Sequence, residues 1–144
     1  RIIVISSEYG KLLGLPFQSF YTISKHALEI YADSLRREVK GLGVRVITIR
    51  PGSLKTEMVD NIENQFKRLV DETDLFKKPL MRMEKMMKGE IKNAAQPQKI
   101  IRTFHQAIYR KNPKIVYRIH NSLKMKLLNA LPPRLQDWIL AKFF

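Results

Sequence analysis

The alternation of apolar and polar positions predicts strands at the start of the chain. Ile2–Ile5 is a continuous run of β-branched residues, which is typical of a strand buried on both faces of a parallel sheet. After a glycine-containing loop, a helical pattern extends from Ser19, a candidate N-cap, to about residue 40. Residues spaced alternately by four and three positions form one stripe along this helix: Tyr21, Lys25, Leu28, Ala32, Leu35 and Val39.

A second strand follows the helix. The glycines of residues 41–43 end the helix, and residues 44–49 ("VRVITI") have a strand pattern. Strand, long helix and strand form the βαβ unit of a parallel sheet, whose crossover is right-handed. Because two parallel strands do not form a stable sheet alone, we expect further strands upstream and a longer parent protein.

The second half of the chain has a mainly helical pattern. Residues 60–92 predict one or two amphipathic helices, with Pro79 between them. Pro97 marks the start of a helix over residues 98–110. A short strand is expected at residues 114–119, followed by an amphipathic helix that is broken at Pro132 and Pro133.

Composition and charge narrow the function classes. The 27 Lys and Arg residues against 13 Asp and Glu give a net charge of +14, which favours anionic partners such as nucleic acid, phosphorylated ligands or membrane surfaces. The absence of cysteine excludes disulfides and thiolate chemistry. We expect no metal site, because His26, His105 and His120 lie far apart. Without a spanning apolar run or a secretory signal, we expect an intracellular protein, cytoplasmic or peripheral at a membrane surface.

Candidate chemistry gathers at one edge of the predicted sheet. Ligands of parallel sheets bind beyond the carboxyl ends of the strands. Ser6 and Ser7 follow the first strand, and "PGSLKT" (residues 51–56) follows the second. Tyr21 and Lys25 open the crossover helix and share one of its faces. Three separate segments are therefore expected to converge.

These residue types suit the interconversion of an alcohol and a carbonyl compound. A tyrosine hydroxyl is a poor base at neutral pH, but an ammonium one helical turn away stabilises its phenolate form. Tyr21 could then take the proton of an alcohol while hydride leaves the carbon, or donate a proton to a carbonyl in reverse. Ser7 could hydrogen-bond to the same substrate oxygen.

The stretch "ISSEYGKLLGLPFQSFYTISKHALEIYADSLRREVKGLGVRVITIRPGSLKTEM" resembles the second half of the catalytic domain of the short-chain dehydrogenase/reductase family. The strand ending in "ISS", the Y-x-x-x-K pair and the "RPGSLKT" segment carry the resemblance, over about residues 1–58. "GLPF", the tyrosine and "SKHALE" look most like the 17β-hydroxysteroid and retinol dehydrogenase branches, whose substrates are apolar alcohols and ketones. The family's fold is α/β, a doubly wound Rossmann-type parallel sheet with helices on both faces, and we expect its N-terminal half to be absent from these residues.

The resemblance also implies roles for individual residues. Tyr21 corresponds to the catalytic acid/base, Lys25 to the residue that binds the nicotinamide ribose of NAD or NADP, and Ser7 to the residue that orients the substrate oxygen. The family's loop after the second strand lies against the nicotinamide, which makes cofactor-site candidates of Pro51, Gly52 and Thr56. Residues 1–58 would form the catalytic βαβ part, and residues 59–144 a substrate lid and C-terminal helical region.

Two departures from the family pattern matter. Ser7 precedes Tyr21 by 14 positions (21 − 7), one more than is commonest in the family, so we expect a bulge in "EYGKLL" and keep Ser6 as the alternative. The family's glycine-rich nucleotide loop, its ribose-reading residue and its active-site asparagine have no counterpart in these 144 residues. We therefore expect the 144 residues alone to be inactive, and the choice between NAD and NADP stays open.

Other interpretations remain beside the enzymatic one. The family often oligomerises through the helix over residues 21–39, which predicts a homodimer or tetramer. A non-catalytic basic module is the alternative function; it would bind a membrane surface through the C-terminal helix, whereas the absence of a recognition motif disfavours nucleic acid. Tyr9 could be a pocket wall or a plain loop aromatic, and Thr56 a helix cap or a cofactor ligand. The methionines that could line either a pocket or a lid core are Met81, Met83, Met86 and Met87.

Overall fold

The computed structural model describes residues 1–55 and 57–143 of the chain. The strands and helices, numbered in chain order, are β1 (Ile2–Ile5), α1 (Ser19–Glu38), β2 (Val46–Pro51), α2 (Glu57–Glu72), α3 (Lys77–Lys92), α4 (Gln98–Tyr109), β3 (Val116–Ile119), α5 (Leu123–Asn129) and α6 (Pro133–Phe143). Two short 3₁₀ helices, at Glu8–Lys11 and Val39–Leu42, lie before and after α1.

The three strands form one parallel sheet in the order β1-β2-β3. Ile2 of β1 is paired with Val46 of β2, so the predicted βαβ unit is confirmed. The strand β1 was predicted to be central, with further strands upstream; its second neighbour would lie outside these residues and stays a prediction. Within the described residues β1 pairs only with β2, and Ile2 and Ile5 are 38% and 47% exposed. The central position belongs to β2, because it has a paired strand on each side.

Alternate residues of β2 build a core on each face of the sheet, as the two-residue period of a strand requires. Val46 packs with Val4 and Ala32 on the face that α1 covers. Ile47 and Ile49 point to the opposite face, where the buried residues of their cluster are Ala107 of α4 and Tyr117 and Ile119 of β3. The predicted α/β fold with helices on both faces of a parallel sheet is thus confirmed.

Two helix starts differ from the sequence predictions. Ser19 is the first helical residue rather than the N-cap; Gln18 holds that position without a capping hydrogen bond from its side chain. Pro79 lies in the first turn of α3, not between two helices. Proline is tolerated there because the amides of a first turn have no partner within the helix. The predicted helix start at Pro97 is confirmed, since Pro97 is the N-cap of α4.

A third cluster joins the helices of the second half to the loop before α1. Its buried members are Leu15, Phe66, Leu80 and Met83. Partly buried apolar side chains pack against them, and these include Tyr9, Leu13, Met86, Met87, Met125 and Leu140. Met83 is fully buried whereas Met81 is half exposed, so the methionine stripe contributes to the core of a helical layer. No helix in the described part of the chain combines the length and apolarity needed to cross a membrane.

The turn before α1 has an unusual backbone. Pro16 and Phe17 are its central residues, and the amide of Gln18 donates to the carbonyl of Leu15 at 3.2 Å. Phe17 has a φ of +62°, in the left-handed region that favours glycine. Its ring lies edge-on against Phe76, with 5.8 Å between the ring centroids. This turn therefore brings the loop that precedes α1 into contact with the start of α3.

Candidate active site

Ser7 lies directly beyond the carboxyl end of β1 and caps the 3₁₀ helix that follows. Its Oγ accepts a hydrogen bond from the amide of Tyr9 at 3.3 Å, and the residue is only 5% exposed. The predicted bulge falls on the Glu8–Lys11 segment, which the structure forms as this 3₁₀ helix. Ser7 thus has a structural role as a cap, and this role holds its hydroxyl at the edge of the sheet.

Tyr21 and Lys25 lie one turn apart near the start of α1, as the sequence predicted. The Lys25 Nζ is 5.5 Å from the centroid of the Tyr21 ring, close enough for the ammonium to interact with the ring face. Tyr21 is 41% exposed, so a ligand can approach it from the open edge of the sheet. Among the side chains that the structure describes, no hydrogen bond joins the Tyr21 hydroxyl to Ser7.

Tyr9 forms a wall beside Tyr21. The two rings meet edge to face, with centroids 5.7 Å apart and an angle of 72° between the ring planes. Burial, with the nearby carboxylates of Glu8 and Glu90, raises the pKa of Tyr9 above its ordinary value, so its phenol stays neutral. Because Tyr9 also packs on the methionine-rich cluster, it connects Tyr21 to an apolar surface.

Gly10 lets the 3₁₀ helix lie directly on α1. A Cβ at this position would be 2.7 Å from the Ser6 Oγ, 2.7 Å from the Glu29 Cγ and 3.0 Å from the backbone oxygen of Lys25. No side chain fits in that space. The separation between Ser7 and the Tyr21–Lys25 pair therefore depends on Gly10. The sequence analysis treated this glycine only as part of a loop.

A buried ion pair ties α1 to the end of β2. The guanidinium of Arg50 donates from Nε and Nη2 to the two carboxylate oxygens of Glu29, at 2.8 and 2.7 Å. Glu29 lies one turn after Lys25, and Arg50 directly precedes Pro51. The sequence analysis missed this pair, although its signal was present: an arginine in an otherwise apolar strand needs a buried partner.

The loop after β2 is held against β3. The amide of Gly52 donates to the carbonyl of Ile119 at 2.8 Å, and a Cβ on Gly52 would clash with the backbone oxygen of His120. Pro51 is the last residue of β2. Thr56 lies outside the described residues. The structure thus brings Ser7, the Tyr21–Lys25 pair and the start of the Pro51 loop to one edge of the sheet.

Comparison with known proteins places these elements in a family. A family model described as short chain dehydrogenase matches residues 1–67, a range that includes every candidate site residue. Over residues 1–67 the chain therefore matches the short-chain dehydrogenase family. Its three strands and flanking helices accordingly form part of a Rossmann-type fold.

Individual relatives match either nearly the whole chain or a part of it. A 3-ketodihydrosphingosine reductase of Bacteroides thetaiotaomicron is 28% identical over 147 aligned residues, which cover 100% of this chain and 54% of that protein. A Drosophila melanogaster dehydrogenase/reductase SDR family protein 7-like is 31% identical over 142 residues, 99% of this chain and 39% of that protein. The mouse 17-beta-hydroxysteroid dehydrogenase type 6 is 47% identical over 60 residues, 42% of this chain and 18% of that protein. The chain spans about half the length of these relatives, or less.

Proposed function

We propose that the protein acts as a short-chain dehydrogenase/reductase that interconverts an alcohol and a ketone or aldehyde with NAD or NADP. The observation that carries this proposal is the Tyr21–Lys25 pair, with its ammonium 5.5 Å from the ring centroid, at the edge of the sheet where Ser7 also lies. The proposal concerns the complete protein; that residues 1–144 alone are inactive stays a prediction.

In the proposed mechanism, Tyr21 moves the proton. Its hydroxyl donates a proton to the substrate carbonyl oxygen during reduction and takes it back from the alcohol during oxidation. Ser7 donates a hydrogen bond to the same oxygen and holds it beside Tyr21. Lys25 stabilises the negative charge that Tyr21 carries after it has given up its proton. When bound beside Lys25, NAD or NADP would supply or accept the hydride at the carbon of the reacting bond.

The residues at this edge fit the nicotinamide end of a dinucleotide. Lys25 offers an ammonium donor for ribose hydroxyls, and no carboxylate among the described side chains lies within ion-pair distance of it. Pro51 and Gly52 provide a backbone loop that is fixed on β3, against which a flat ring could lie. Thr56 is proposed as a further cofactor contact from the family motif alone.

The decisive experiment replaces the hydroxyl of Tyr21 in the complete protein. We expect Tyr21→Phe to lower kcat/KM by about 10²- to 10⁴-fold, the usual contribution of a general acid or base. Tyr109→Phe is the matched control, because Tyr109 is exposed on α4, outside the proposed site and outside α1. Turnover of Tyr21→Phe at the wild-type rate, measured by cofactor absorbance, would refute the proposal.

An apolar substrate, such as a steroid, retinoid or lipid-like alcohol, fits the surroundings of Tyr21. Tyr9 joins the Tyr21 ring to the cluster of leucines and methionines from α3, α5 and α6. Methionine side chains adapt to irregular apolar shapes. The names of two relatives, a 3-ketodihydrosphingosine reductase and a 17-beta-hydroxysteroid dehydrogenase, agree with this class. Rates with short and long alkyl alcohols would test it, and a preference for the short ones would contradict it.

Oligomerisation through α1 is proposed from its outer face. Leu28 and Leu35 of the predicted stripe pack on the sheet, so they are not available to a partner. The apolar side chains that α1 leaves exposed are Phe20, Ile23, Ile30 and Tyr31. We expect Ile30→Glu to reduce the molecular mass seen by light scattering, whereas Ile101→Glu on α4 should leave it unchanged.

A peripheral membrane contact is proposed for α5 and α6. Their exposed apolar side chains are Leu123, Leu127, Leu135, Trp138 and Phe143. Lysines lie between them in the sequence of α5 and α6, and the Lys142 Nζ lies 3.5 Å from the Trp138 ring centroid. This mixture of aromatic, aliphatic and basic residues suits the surface of an anionic bilayer. Co-sedimentation with phosphatidylserine vesicles should fall for Trp138→Ala and stay unchanged for Tyr109→Ala, on α4.

A further inference from the structure

Glu8 is a buried carboxylate that directly follows Ser7. It is 7% exposed, although it lies in the loop beyond β1, where a carboxylate could readily face water. Its Oε2 accepts a hydrogen bond from the backbone amide of Ser122 at 2.8 Å. Ser122 is the N-cap of α5, 114 residues further along the chain. A single side chain therefore links the proposed active-site loop to the C-terminal helices.

The ends of all three strands meet around this carboxylate. The Glu8 Oε1 would lie 2.9 Å from a Cβ on Gly52, the residue after β2. His120, the residue after β3, has a left-handed φ of 54°, and its Nε2 lies 2.7 Å from the carbonyl oxygen of Asn93. A side chain at position 52 would therefore crowd the carboxylate, and the glycine leaves this space to Glu8.

Burying this carboxylate has an electrostatic cost. Burial raises the pKa of Glu8, the hydrogen bond from the Ser122 amide lowers it, and Glu90 and His120 raise and lower it respectively. A buried charged group destabilises a fold unless it is well paired, and among the described residues one amide, that of Ser122, donates a hydrogen bond to this carboxylate. A residue that served only to fill space at this point would be apolar.

We propose that Glu8 is a positioning residue that holds Ser7 and Tyr9 in place beside Tyr21 by fixing their loop to the amide of Ser122. This inference rests on the dehydrogenase function proposed above. Ser7 and Tyr9 flank Glu8 in the chain, and the Tyr9 ring contacts Tyr21 directly. Any movement of the Glu8–Ser122 link shifts both the hydroxyl that orients the substrate and the wall beside the catalytic tyrosine. The C-terminal helices thus set the geometry of a site to which α5 contributes no proposed catalytic residue.

The test removes the hydrogen bond from each side in the complete protein. Glu8→Ala removes the acceptor, whereas Glu8→Gln keeps an acceptor oxygen of the same shape. Ser122→Pro removes the donor and suits the observed φ of −70°, whereas Ser122→Ala keeps the amide and loses only the hydroxyl that caps Met125. We expect kcat to fall about tenfold in Glu8→Ala and in Ser122→Pro, because small displacements of reacting groups have large effects on rate. Glu8→Gln and Ser122→Ala should stay within about threefold of wild type.

Combining the two disruptive changes gives the sharpest result. The Glu8→Ala/Ser122→Pro double variant should be no slower than either single variant, because both remove the same link. The inference would be overturned if the loss of kcat in the double variant were the product of the two single losses. It would also be overturned if Ser122→Pro were as active as Ser122→Ala. Tyr21→Phe separates the two proposals. If it abolishes turnover while Glu8→Ala is fully active, only the positioning role fails; if Tyr21→Phe is fully active, the proposed function itself fails.

Discussion

The βαβ part of the molecule, residues 1–55, and the helical layer formed with α2, α3, α5 and α6 are held together in different ways. In the first, the contacts admit little variation: Glu29 and Arg50 form a bidentate buried pair, and Gly10 lies where no Cβ fits. In the second, methionine and leucine side chains of adaptable shape form the core. The proposed chemistry depends on the rigid part, and the proposed choice of substrate on the adaptable one.

This difference follows from what each part must do. A proton donor and a substrate-orienting hydroxyl require fixed distances, which buried hydrogen bonds and close backbone contacts provide. A surface that receives an apolar ligand requires shape without strict directionality, which dispersion contacts provide. If the comparison is right, substitutions of similar chemistry should be far more harmful in the first part than in the second.

The largest effect is expected at the buried ion pair. Glu29→Leu leaves the Arg50 guanidinium buried without a partner and should lower the free energy of unfolding by about 3–5 kcal/mol, measured by urea denaturation. The exposed pair of Arg68 and Glu72 on α2 is the control, and Glu72→Gln should cost less than about 1 kcal/mol. Equal losses for the two pairs would contradict the comparison.

Gly10 should give the next largest effect. Gly10→Ala forces the 3₁₀ helix away from α1 and should destabilise the protein by about 1–3 kcal/mol, as overpacking usually does. It should also lower kcat, because Ser7 moves relative to Tyr21. Gly14 lies in the same loop with open space around its Cβ position, so Gly14→Ala should change neither stability nor rate appreciably. Similar behaviour of the two variants would argue against close packing at Gly10.

A smaller effect is expected in the core of the helical layer. Met83→Leu keeps the volume of a fully buried side chain and should cost less than about 1.5 kcal/mol, because volume-conserving changes are well tolerated. Met83→Ala, which opens a cavity, is the control and should cost about 2–5 kcal/mol. A loss for Met83→Leu as large as that for Met83→Ala would show that this layer is as strictly packed as the βαβ part.

The smallest effect concerns Glu8, which joins the two parts, and it depends on pH. Because burial raises the pKa of Glu8 in the folded state, the folded protein binds its proton more tightly than the unfolded chain does. The free energy of unfolding therefore falls as the pH rises from the unfolded pKa toward the raised one, and this loss is complete above it. Glu8→Gln should show a smaller decrease in stability between pH 4 and pH 7 than wild type does. If wild type and Glu8→Gln lost the same stability between pH 4 and pH 7, the proposed electrostatic cost of burying Glu8 would be wrong.

Local patterns were sufficient to predict the βαβ unit, with Ser7 beyond the end of β1 and with Tyr21 and Lys25 one turn apart near the start of α1. Strand and helix periods are properties of neighbouring residues, and the carboxyl ends of parallel strands must lie at one edge. The pattern of Ile2–Ile5 indicated a strand, and the structure forms one there. The burial of that strand depends on its neighbours, and within the described residues β1 pairs with β2 alone.

The contacts that position the site could not be predicted in the same way. Glu29 and Arg50 are 21 residues apart, and Glu8 and Ser122 are 114 apart, so their pairing depends on the final register of the strands and helices. The role of Gly10 likewise appears only once the 3₁₀ helix lies on α1. Sequence reasoning proposed residues for the chemistry, whereas the contacts that hold their segments are tertiary and appear only in the structure.

The left-handed backbone at Phe17 has a consequence for how this family diverges. A residue other than glycine or asparagine in that conformation lowers the stability of the fold by about 1–2 kcal/mol. The edge-on contact between Phe17 and Phe76 offsets part of this loss. Positions 17 and 76 should therefore change together among relatives. In relatives without an aromatic residue at position 76, we expect glycine or asparagine at position 17. The loop before α1 would then lack this contact with α3.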